Sequence, residues 1–437
     1  MRADAEAIFA AAVDAVRPEP LMAAAVQSFP QDWQQAIASA PRILVVGGGK
    51  AGASMAAGLE VALGEHLPKV HGLVNVPEGS TRPLQRIRLV AARPVGSNHP
   101  TAAGVAGAEE MLALLESAGP NDVALCLISG GGSALLPAPT DGITLEDKQT
   151  ITKLLHASGA TIAEMNCVRK HLSRIKGGGL ASAFRGRLLA SLIISDVIGD
   201  PLDVIASGPT TPDPTTFADA LEVLERFKLV ERTPTAVLAR LRQGRAGEIP
   251  ETLKALPGSI HNRVIGNNAL ALQAAATKAE SLGYRVLNLG PYIEGDTTAV
   301  AMTLYGIVRS IRELGQPLKP PACVLLGGET TVALGDSPGL GGRNQEFVLA
   351  ALARLGRSGM ADVCILSGGT DGEDGPTDAA GAVADAETLE KAKECNITPL
   401  DFLNLHNSYR FFEQVGGLLI TGLTNTNVMD IRVVLIR

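Results

Sequence analysis

The apolar residues of this chain follow two patterns that alternate along its length. Short uninterrupted apolar runs, such as the run that ends at Val46 and those over Asp122–Ile128 and Leu188–Ile194, predict buried β-strands. Stretches with apolar residues at helical spacing, such as Ala5–Val16 and Thr101–Ser117, predict amphipathic helices. Alternation of strands with helices is typical of an α/β layer fold with a mostly parallel sheet.

A change in composition and in the pattern of predicted elements divides the chain into two parts. Proline is frequent between Pro209 and Ser259, where the pattern predicts one helix, Phe217–Phe227. Strands and helices alternate again after this stretch, and Gly417–Arg437 predicts two strands joined by a polar turn. We therefore predict a Rossmann-like N-terminal domain over residues 1–245 and a second α/β domain over residues 246–437. Whether the tail packs back on the first domain is left open.

Composition narrows the classes of function. Hydrophobic residues make up 46% of the chain and aromatic residues only 3%, so the core must be built from Ala, Val, Leu and Ile, which suits parallel strands covered by helices. A net charge of −7 without a strongly basic block argues against nucleic-acid binding. The sequence predicts no membrane span, and its first residues lack the basic region of a signal peptide.

Cysteine usage indicates the compartment. The five cysteines are scattered and lack C-x-x-C spacing, so we predict neither a zinc site nor a disulfide framework. Unpaired cysteines fit a reducing environment, and we predict a cytoplasmic protein.

Glycine clusters follow the predicted strands at four places. They are VVGGGKAG at Val45–Gly52, LISGGGSALL at Leu127–Leu136, LLGGETT at Leu325–Thr331 and ILSGGTDGEDG at Ile365–Gly375. Loops at the carboxyl ends of parallel strands lead into helix N-termini, whose N–H groups attract anions, so these clusters predict phosphate binding. The predicted phosphate-binding residues are Gly48, Gly49, Ser129, Gly130, Gly131, Gly132, Ser133, Gly327, Gly328 and Glu329.

Other interpretations of the first two clusters are weaker. The first is not a P-loop, because the G-x-x-x-x-G-K-[ST] pattern is absent. Gly47, Gly49 and Gly52 do fit the G-x-G-x-x-G spacing of a dinucleotide site, but the acid expected on the ribose could only be Glu78, which comes late. Ser133 lacks the G-x-S-x-G context of a nucleophile, so we favour a donor to phosphate.

Charged residues stand beside these clusters. Lys50 follows the first, and Arg343 opens a predicted helix, so both are candidates to stabilise a phosphoryl group during transfer. Asp196 follows a predicted strand and is a candidate base or metal ligand, with a helix cap as the alternative. Asp371 and Asp374 lie in a glycine-rich acidic loop that suits Mg²⁺ bound with a nucleotide, unless the loop is merely solvated.

Eight motifs occur in one order across nearly the whole chain. They are GGGKAG, LISGGGSALL, KHLSRIKGGGLA, SDVIGDPLDVIASGPTTPD, LLGGETTV, GGRNQEF, SGGTDGEDGPTDAAGA and TNTNVMDIRVVLI. Together they resemble the class II glycerate 2-kinases, which join a Rossmann-like glycerate kinase domain to a MOFRL domain, and some of which carry the label hydroxypyruvate reductase. The tail departs from the family pattern, because Leu423, Asn425 and Met429 replace its usual proline, glycine and asparagine.

The resemblance implies an enzyme that transfers the γ-phosphoryl group of ATP to the 2-hydroxyl of D-glycerate, with Mg²⁺, in a cleft between the two domains. It implies that Lys50 and Arg343 lie nearest the reaction, and that Asp196 or Asp374 holds the metal or accepts the hydroxyl proton. The expected substrate-binding residues are His99, Lys176 and Asn344. The expected partners are therefore D-glycerate and ATP, and a homodimer is left open.

Two other functions compete with the kinase. A nicotinamide-dependent hydroxypyruvate reductase would use the Gly47–Gly52 turn, but the sequence supplies neither a convincing ribose acid nor a proton donor beside the ketone. A metabolite sensor built on the same fold would bind ligand without turnover.

Overall fold

The computed structural model describes residues 1–94, 99–335 and 339–437, which form two compact units. The N-terminal unit comprises Pro18–Ile265, and the C-terminal unit comprises Met1–Arg17 together with Gly266–Arg437. The domain division at residues 245 and 246 stays a prediction. In the structure, the strand Ile260–Gly266 belongs to the first sheet, and the first helix lies in the C-terminal unit.

The sheet of the N-terminal unit has the strand order of a doubly wound fold. Its strands are β1 (Ile43–Gly48), β2 (Val70–Pro77), β3 (Ile87–Arg93), β4 (Val123–Ile128), β5 (Leu188–Ile194) and β6 (Ile260–Gly266). Their order is β3-β2-β1-β4-β5-β6, and β1 pairs in parallel with both β2 and β4. The order reverses between β1 and β4, so the loops after these two strands lie side by side at the edge where such folds bind ligands.

Helices cover this sheet, and the predicted α/β alternation is confirmed. The first helix, α1 (Arg2–Ala15), lies in the C-terminal unit. The helices of the N-terminal unit are α2 (Pro18–Gln27), α3 (Gln31–Ser39), α4 (Gly52–Leu63), α5 (Ala102–Glu116), α6 (Gly132–Leu135), α7 (Leu145–Ala157), α8 (Ile162–His171), α9 (Gly179–Ala183), α10 (Phe217–Arg226) and α11 (Thr235–Arg245). The sequence pattern did not predict α2, because Pro18 and Pro20 indicate a helix end; both lie in its first turn, where proline is tolerated.

The C-terminal unit contains a mixed sheet. Its strands are β7 (Arg285–Asn288), β8 (Ile293–Asp296), β9 (Ala322–Thr331), β10 (Val363–Gly369), β11 (Gly381–Ala384), β12 (Leu418–Leu419) and β13 (Asp430–Ile436). The order is β12-β11-β10-β13-β9-β7, with β8 paired to β9. Strand β13 is antiparallel to both β10 and β9, so the chain's tail lies in the middle of this unit's own sheet.

The helices of the C-terminal unit pack on this sheet around a second core. Besides α1 they are α12 (Asn268–Ser281), α13 (Thr297–Leu314), α14 (Arg343–Gly359), α15 (Ala386–Glu394), α16 (Pro399–Asn404) and α17 (Ser408–Val415). Buried residues of α13, α14 and α17 meet those of β9, β10 and β13 in one apolar cluster. Across the described residues, no helix is both long and apolar enough to cross a membrane.

Candidate active site

The glycine-rich turns after β1 and β4 pack directly on one another. The backbone N–H of Lys50 donates to the carbonyl of Gly130 at 2.8 Å, and that of Ala51 donates to Ser129 Oγ at 3.0 Å. A Cβ on Gly49 would lie only 2.0 Å from Ser129 Oγ, so no larger residue fits there. These N–H groups are already bound by protein, so the phosphate contacts predicted for the first turn stay a prediction.

Two cations flank the second turn. The point that a Cβ on Gly131 would occupy lies 3.4 Å from Lys50 Cγ and 3.3 Å from Arg93 Nη2. Arg93 is the last residue of β3 and is only 5% exposed. It is not among the predicted site residues, because it follows no motif, but its position makes the turn more favourable for an anion.

Helices α7 and α8 supply further cations, and capping boxes fix where both helices begin. Thr144 and Asp147 form such a box at the start of α7, as do Thr161 and Glu164 at the start of α8. Each box satisfies N–H groups that the first helical turn leaves unpaired, so the sequence itself sets the register of both helices.

Lys148 occupies a position in α7 where an apolar residue is expected. It lies on the buried stripe of the helix with Ile151 and Leu155, and its Nζ has no hydrogen-bond partner within the described residues. Burial, together with the charges of Arg169 and Arg240, lowers the pKa of Lys148 to about 7. A buried amine without a partner costs free energy, so this position favours a role in binding.

Ser133, at the start of α6, is the centre of a polar network. Lys176 Nζ donates to the Ser133 carbonyl oxygen and lies 2.8 Å from both that oxygen and Ser133 Oγ, while Arg169 donates to the same Oγ. Ser207 Oγ lies 3.0 Å from Ser133 Oγ. Burial, together with the positive charges of Arg169 and Lys148, lowers the pKa of Lys176 well below its usual value.

An unusual backbone segment supports this network. Ser207 and the residue before it have φ values of 62° and 52°, a left-handed conformation that is costly for residues with a side chain. The N–H of Gly177 donates to the Ser207 carbonyl at 3.0 Å, and that of Gly178 donates to the Gly208 carbonyl at 2.7 Å. The two loops therefore hold each other and fix the position of Lys176.

These side chains line a cavity of about 410 Å³ in the N-terminal unit. Its charged or titratable lining residues, among those the structure describes, are His99, Lys148, Lys153, His156, Arg169 and Lys176. No Asp or Glu belongs to the described lining. A cavity with buried cations and without carboxylates is suited to an anion.

Lys170 shows how the same unit neutralises a buried lysine. Its Nζ lies 3.3 Å from a carboxylate oxygen of Asp203 and 3.3 Å from one of Asp213. Among the described residues, Lys148 and Lys176 have no such acidic partner, in contrast to Lys170. Asp196, the predicted base, lies half-buried after β5 and does not belong to the described cavity lining.

The C-terminal unit has a separate charged cluster around Asp430. Arg343, the first residue of α14, donates to both carboxylate oxygens of Asp430, from Nε at 2.8 Å and Nη2 at 2.9 Å. Its Nη1 lies 2.9 Å from a carboxylate oxygen of Glu329. Arg343 is thus held by protein carboxylates, and its contact with a phosphoryl group stays a prediction.

Arg432 lies beside this pair and is fully buried. It donates to Asp430 Oδ2 at 3.2 Å and to Thr330 Oγ1 at 2.9 Å, and its guanidinium carbon lies 4.9 Å from the ring centre of Phe347. Asn344 is also fully buried, and its amide donates to Asp430 Oδ1 at 2.9 Å. A contact between Asn344 and the substrate stays a prediction. The complete burial of the Asn344 side chain does not favour such a contact.

The predicted metal ligands occupy the neighbouring loop. Asp374 accepts the backbone N–H groups of Asn344 and Gln345 at 3.0 and 2.8 Å, so it caps α14. Burial raises the pKa of Asp374 to about 6. The carboxylate of Asp371 accepts the N–H of Glu373 at 3.2 Å, and its role as a metal ligand stays a prediction.

The Gly327–Gly328 turn has a structural task of its own. A Cβ on Gly327 would lie 1.8 Å from Asn268 Oδ1. The amide of Asn268 donates to the carbonyl oxygens of Val428 and Asp430 at 2.7 and 3.0 Å. Glycine at this position therefore lets Asn268 connect α12 to the start of β13.

Replacing Lys148 with methionine should stabilise the protein. In the unfolded chain, Lys148 is charged at every pH below about 10. In the folded protein its pKa is about 7, so below about pH 10 folding either removes the proton or buries the charge, and both cost free energy. Stability of the native protein should therefore rise between pH 7 and 10, and the gain from Lys148→Met should be largest at or below pH 7. We expect about 2–3 kcal/mol at pH 6, or roughly 5–10 °C, and about half of that at pH 9.

Thermal unfolding of both proteins at pH 6 and pH 9 measures this effect. Lys153→Met is the matched control, because Lys153 lies on the same helix but is exposed, and it should change the melting temperature by less than 2 °C, roughly the scale of a surface substitution. A Lys148→Met variant that melts below the native protein at pH 6 would contradict the assignment of Lys148 as an unpaired buried cation.

One sequence signal could have identified these cations. The segment Val168–Lys176 carries five basic residues and no acid, in a chain whose net charge is negative. On α7, a lysine lies at a position where the helical period requires an apolar side chain.

Comparisons with known proteins all place this chain in the same family. The family model described as a domain of unknown function, DUF4147, matches residues 4–242, and the MOFRL family model matches residues 322–430. The glycerate 2-kinase of Pyrococcus horikoshii is 40% identical over 90% of this chain and 87% of its own length. A putative hydroxypyruvate reductase of Agrobacterium vitis is 43% identical over 90% of this chain and 87% of its own length. The crystal structure of a glycerate kinase from Thermotoga maritima has a TM-score of 0.88 and 34% identity, and the match covers 100% of this chain and 99% of that one.

Proposed function

Because the chain belongs to the family that joins a DUF4147 domain to a MOFRL domain, we propose that it is an ATP-dependent glycerate 2-kinase. The reaction would transfer the γ-phosphoryl group of ATP to the 2-hydroxyl of D-glycerate and release ADP. Its two substrates are both anions, which agrees with a site rich in cations. The placement of the reaction in a cleft between domains stays a prediction.

The cavity of the N-terminal unit is the observation that supports this function most. Glycerate carries a carboxylate, and the guanidinium of Arg169 and the Nζ of Lys176 both donate to Ser133, with no acid in the described lining. An anion bound there would balance the positive charge of these side chains. Lys50 and Arg93, beside Gly131, would extend the positive potential towards a phosphate.

Phosphoryl transfer needs charge neutralisation more than covalent chemistry. Its transition state is loose, so donors held in place around the phosphoryl oxygens account for much of the catalysis. Lys50, on a turn locked by two hydrogen bonds to the neighbouring turn, is suited to such a role because its backbone does not have to reorganise. The joint action of Lys50 and Arg343 on one phosphoryl group stays a prediction.

Mg²⁺, which usually accompanies ATP, finds no ready-made site in the described residues. No group of three or more His, Cys, Asp or Glu side chains there could hold a metal ion. Both oxygens of Asp374 accept backbone N–H groups, and both oxygens of Asp430 are bound by Arg343. These carboxylates do not fit a preformed metal site, and we derive no catalytic step through one.

A hydroxypyruvate reductase is the second candidate, because a relative with that putative name is 43% identical to this chain. Its nicotinamide cofactor would lie against the turn after β1 in a Rossmann-like fold. The N–H groups of Lys50 and Ala51, which would receive the cofactor's pyrophosphate, are bound by the neighbouring turn. The geometry therefore favours the kinase.

One pair of assays separates the candidates. Purified protein is mixed with D-glycerate, ATP and Mg²⁺, and ADP formation is followed, while ³¹P NMR distinguishes 2-phosphoglycerate from 3-phosphoglycerate. A parallel sample with hydroxypyruvate and NADH or NADPH is followed at the nicotinamide absorbance. We expect ADP and 2-phosphoglycerate only in the first sample. Nicotinamide oxidation without ADP formation would reject the kinase, and binding without either reaction would indicate a sensor.

A further inference from the structure

Phosphorylation of a hydroxyl group releases a proton, and the cavity has to provide an acceptor for it. Asp196, the predicted base, does not belong to the described cavity lining, and no other carboxylate does. A carboxylate beside Arg169 and Lys176 would also pair with them and compete with the substrate anion. The acceptor in a cationic site must therefore be a neutral group.

The surroundings of Lys148 favour its neutral form. The charged groups that face it are Arg169 on α8 and Arg240 on α11, and Lys176, which precedes α9, also interacts with it. His156 lies on the same helix and lines the same cavity. Arg169, Arg240 and Lys176 are basic, so each disfavours a proton on Lys148.

The Nζ of Lys148 is also available for a hydrogen bond. It is buried and has no hydrogen-bond partner within the described residues, although it belongs to the cavity lining. Lys176, by contrast, is already engaged with the carbonyl and hydroxyl of Ser133. The two buried lysines of the described lining thus differ: Lys176 is fixed as a donor, and Lys148 has its lone pair available.

We propose that Lys148 Nζ accepts the proton of the substrate hydroxyl during phosphoryl transfer, while Arg169 and Lys176 hold the carboxylate. The hydroxyl oxygen forms a bond to the γ-phosphorus as the bond between that phosphorus and the bridging oxygen of ADP breaks. The hydroxyl proton passes to the Lys148 amine, which becomes an ammonium and later returns the proton to solvent. The proposal rests on the proposed kinase function.

The pH dependence follows from the same geometry. Burial and the neighbouring guanidinium groups lower the pKa of Lys148 to about 7, so its neutral fraction is substantial at neutral pH. A bound monocarboxylate compensates one positive charge of several, so the amine does not regain its ordinary basicity. The rate should therefore fall as pH decreases below about 7.

Two substitutions test the role in turnover. Lys148→Arg places a permanently charged guanidinium, which cannot accept a proton, at this position, so we expect kcat to fall at least about a hundredfold, KM to change less than about fivefold, and the acidic limb of the pH profile to disappear. Lys148→Cys treated with 2-bromoethylamine restores an amine at nearly the same position and should recover at least about tenfold of the lost activity. Lys228→Arg, an exposed lysine of the same unit, is the control and should leave kcat unchanged.

A measurement without turnover separates this proposal from the proposed function. Acetic anhydride acylates neutral amines, and mass spectrometry reads the modified fraction of each lysine. We expect Lys148 to react with a midpoint near pH 7, and D-glycerate to protect it. A Lys148 midpoint near pH 10, a Lys148→Arg loss below tenfold, or an acidic limb that persists in Lys148→Arg would each overturn the proposal. Native protein that labels as expected but forms no ADP would instead reject the kinase function.

Discussion

Substitution of Arg169 by methionine should lower kcat/KM for glycerate phosphorylation by roughly a hundredfold to a thousandfold. The guanidinium of Arg169 donates to Ser133 Oγ and, from Nη1 at 3.2 Å, to Asn166 Oδ1, which orients it at the cavity. Loss of a desolvated cation that pairs with a substrate carboxylate typically costs a few kcal/mol, and methionine has a similar shape without the charge.

The same substitution should not destabilise the protein. Arg169 is half-buried near Lys148 and Lys176, and no acid in the described cavity lining compensates it. Removing one of three mutually repelling cations lowers that repulsion, so we expect an unchanged or higher melting temperature. A loss of activity without a loss of stability is expected for a residue that binds substrate and is not needed for folding.

Steady-state kinetics and thermal unfolding of the same preparations provide both readouts. Arg169→Lys should lose less, about tenfold, because lysine keeps the charge but not the planar pair of donors. Arg185→Met is the matched control: Arg185 is exposed and donates to the Ser182 carbonyl at 2.7 Å. If Arg169→Met retained more than a third of native kcat/KM, the cavity would not be the site of the glycerate carboxylate.

Substitution of Asp430 by asparagine should have the largest effect on stability. Asp430 is fully buried, and it accepts hydrogen bonds from Arg343, Arg432 and Asn344. In the Asp430→Asn variant, Arg432 and Arg343 lose the carboxylate that they share. The guanidinium of Arg432 is buried, and that of Arg343 is partly buried. Breaking such a buried network from one side typically costs about 3–5 kcal/mol, since the remaining charges are left uncompensated.

The cost should appear as a lower melting temperature, by roughly 10 °C or more. Asp378→Asn is the control, because Asp378 is exposed and accepts a hydrogen bond from the hydroxyl of Tyr409 at 2.8 Å, and its effect should stay within about 2 °C. A melting temperature for Asp430→Asn that matches the control would show that the cluster is not a folding element of the C-terminal unit.

The alternation of apolar patterns was sufficient to predict the α/β class and many elements. Asp122–Ile128 and Leu188–Ile194 correspond to β4 and β5, and Thr101–Ser117 corresponds to α5. These elements are determined locally, because burial on both faces requires an uninterrupted apolar run and a cap such as Thr101 fixes a helix start. In the tail, the two predicted strands are present as β12 and β13; β12 has only two residues and pairs with β11.

Glycine clusters illustrate a limit of sequence interpretation. A missing Cβ makes room equally for a phosphate or for another part of the protein. At Gly49 the room is taken by Ser129 Oγ, and at Gly327 by the side chain of Asn268. The sequence identified where the backbone needs close approach, but the approaching atoms belong to distant residues, so only the folded chain shows which they are.

By itself, the sequence determined the α/β character of both halves, the starts of α7 and α8, and the presence of a basic segment over Val168–Lys176. It did not determine which of those cations would be neutralised. Lys170 meets Asp203 and Asp213, while Lys176 meets only Ser133, although the two lysines are six positions apart and chemically identical. The tertiary structure decided this, because the charge of a side chain depends on its distance to others across space, and folding alone sets those distances.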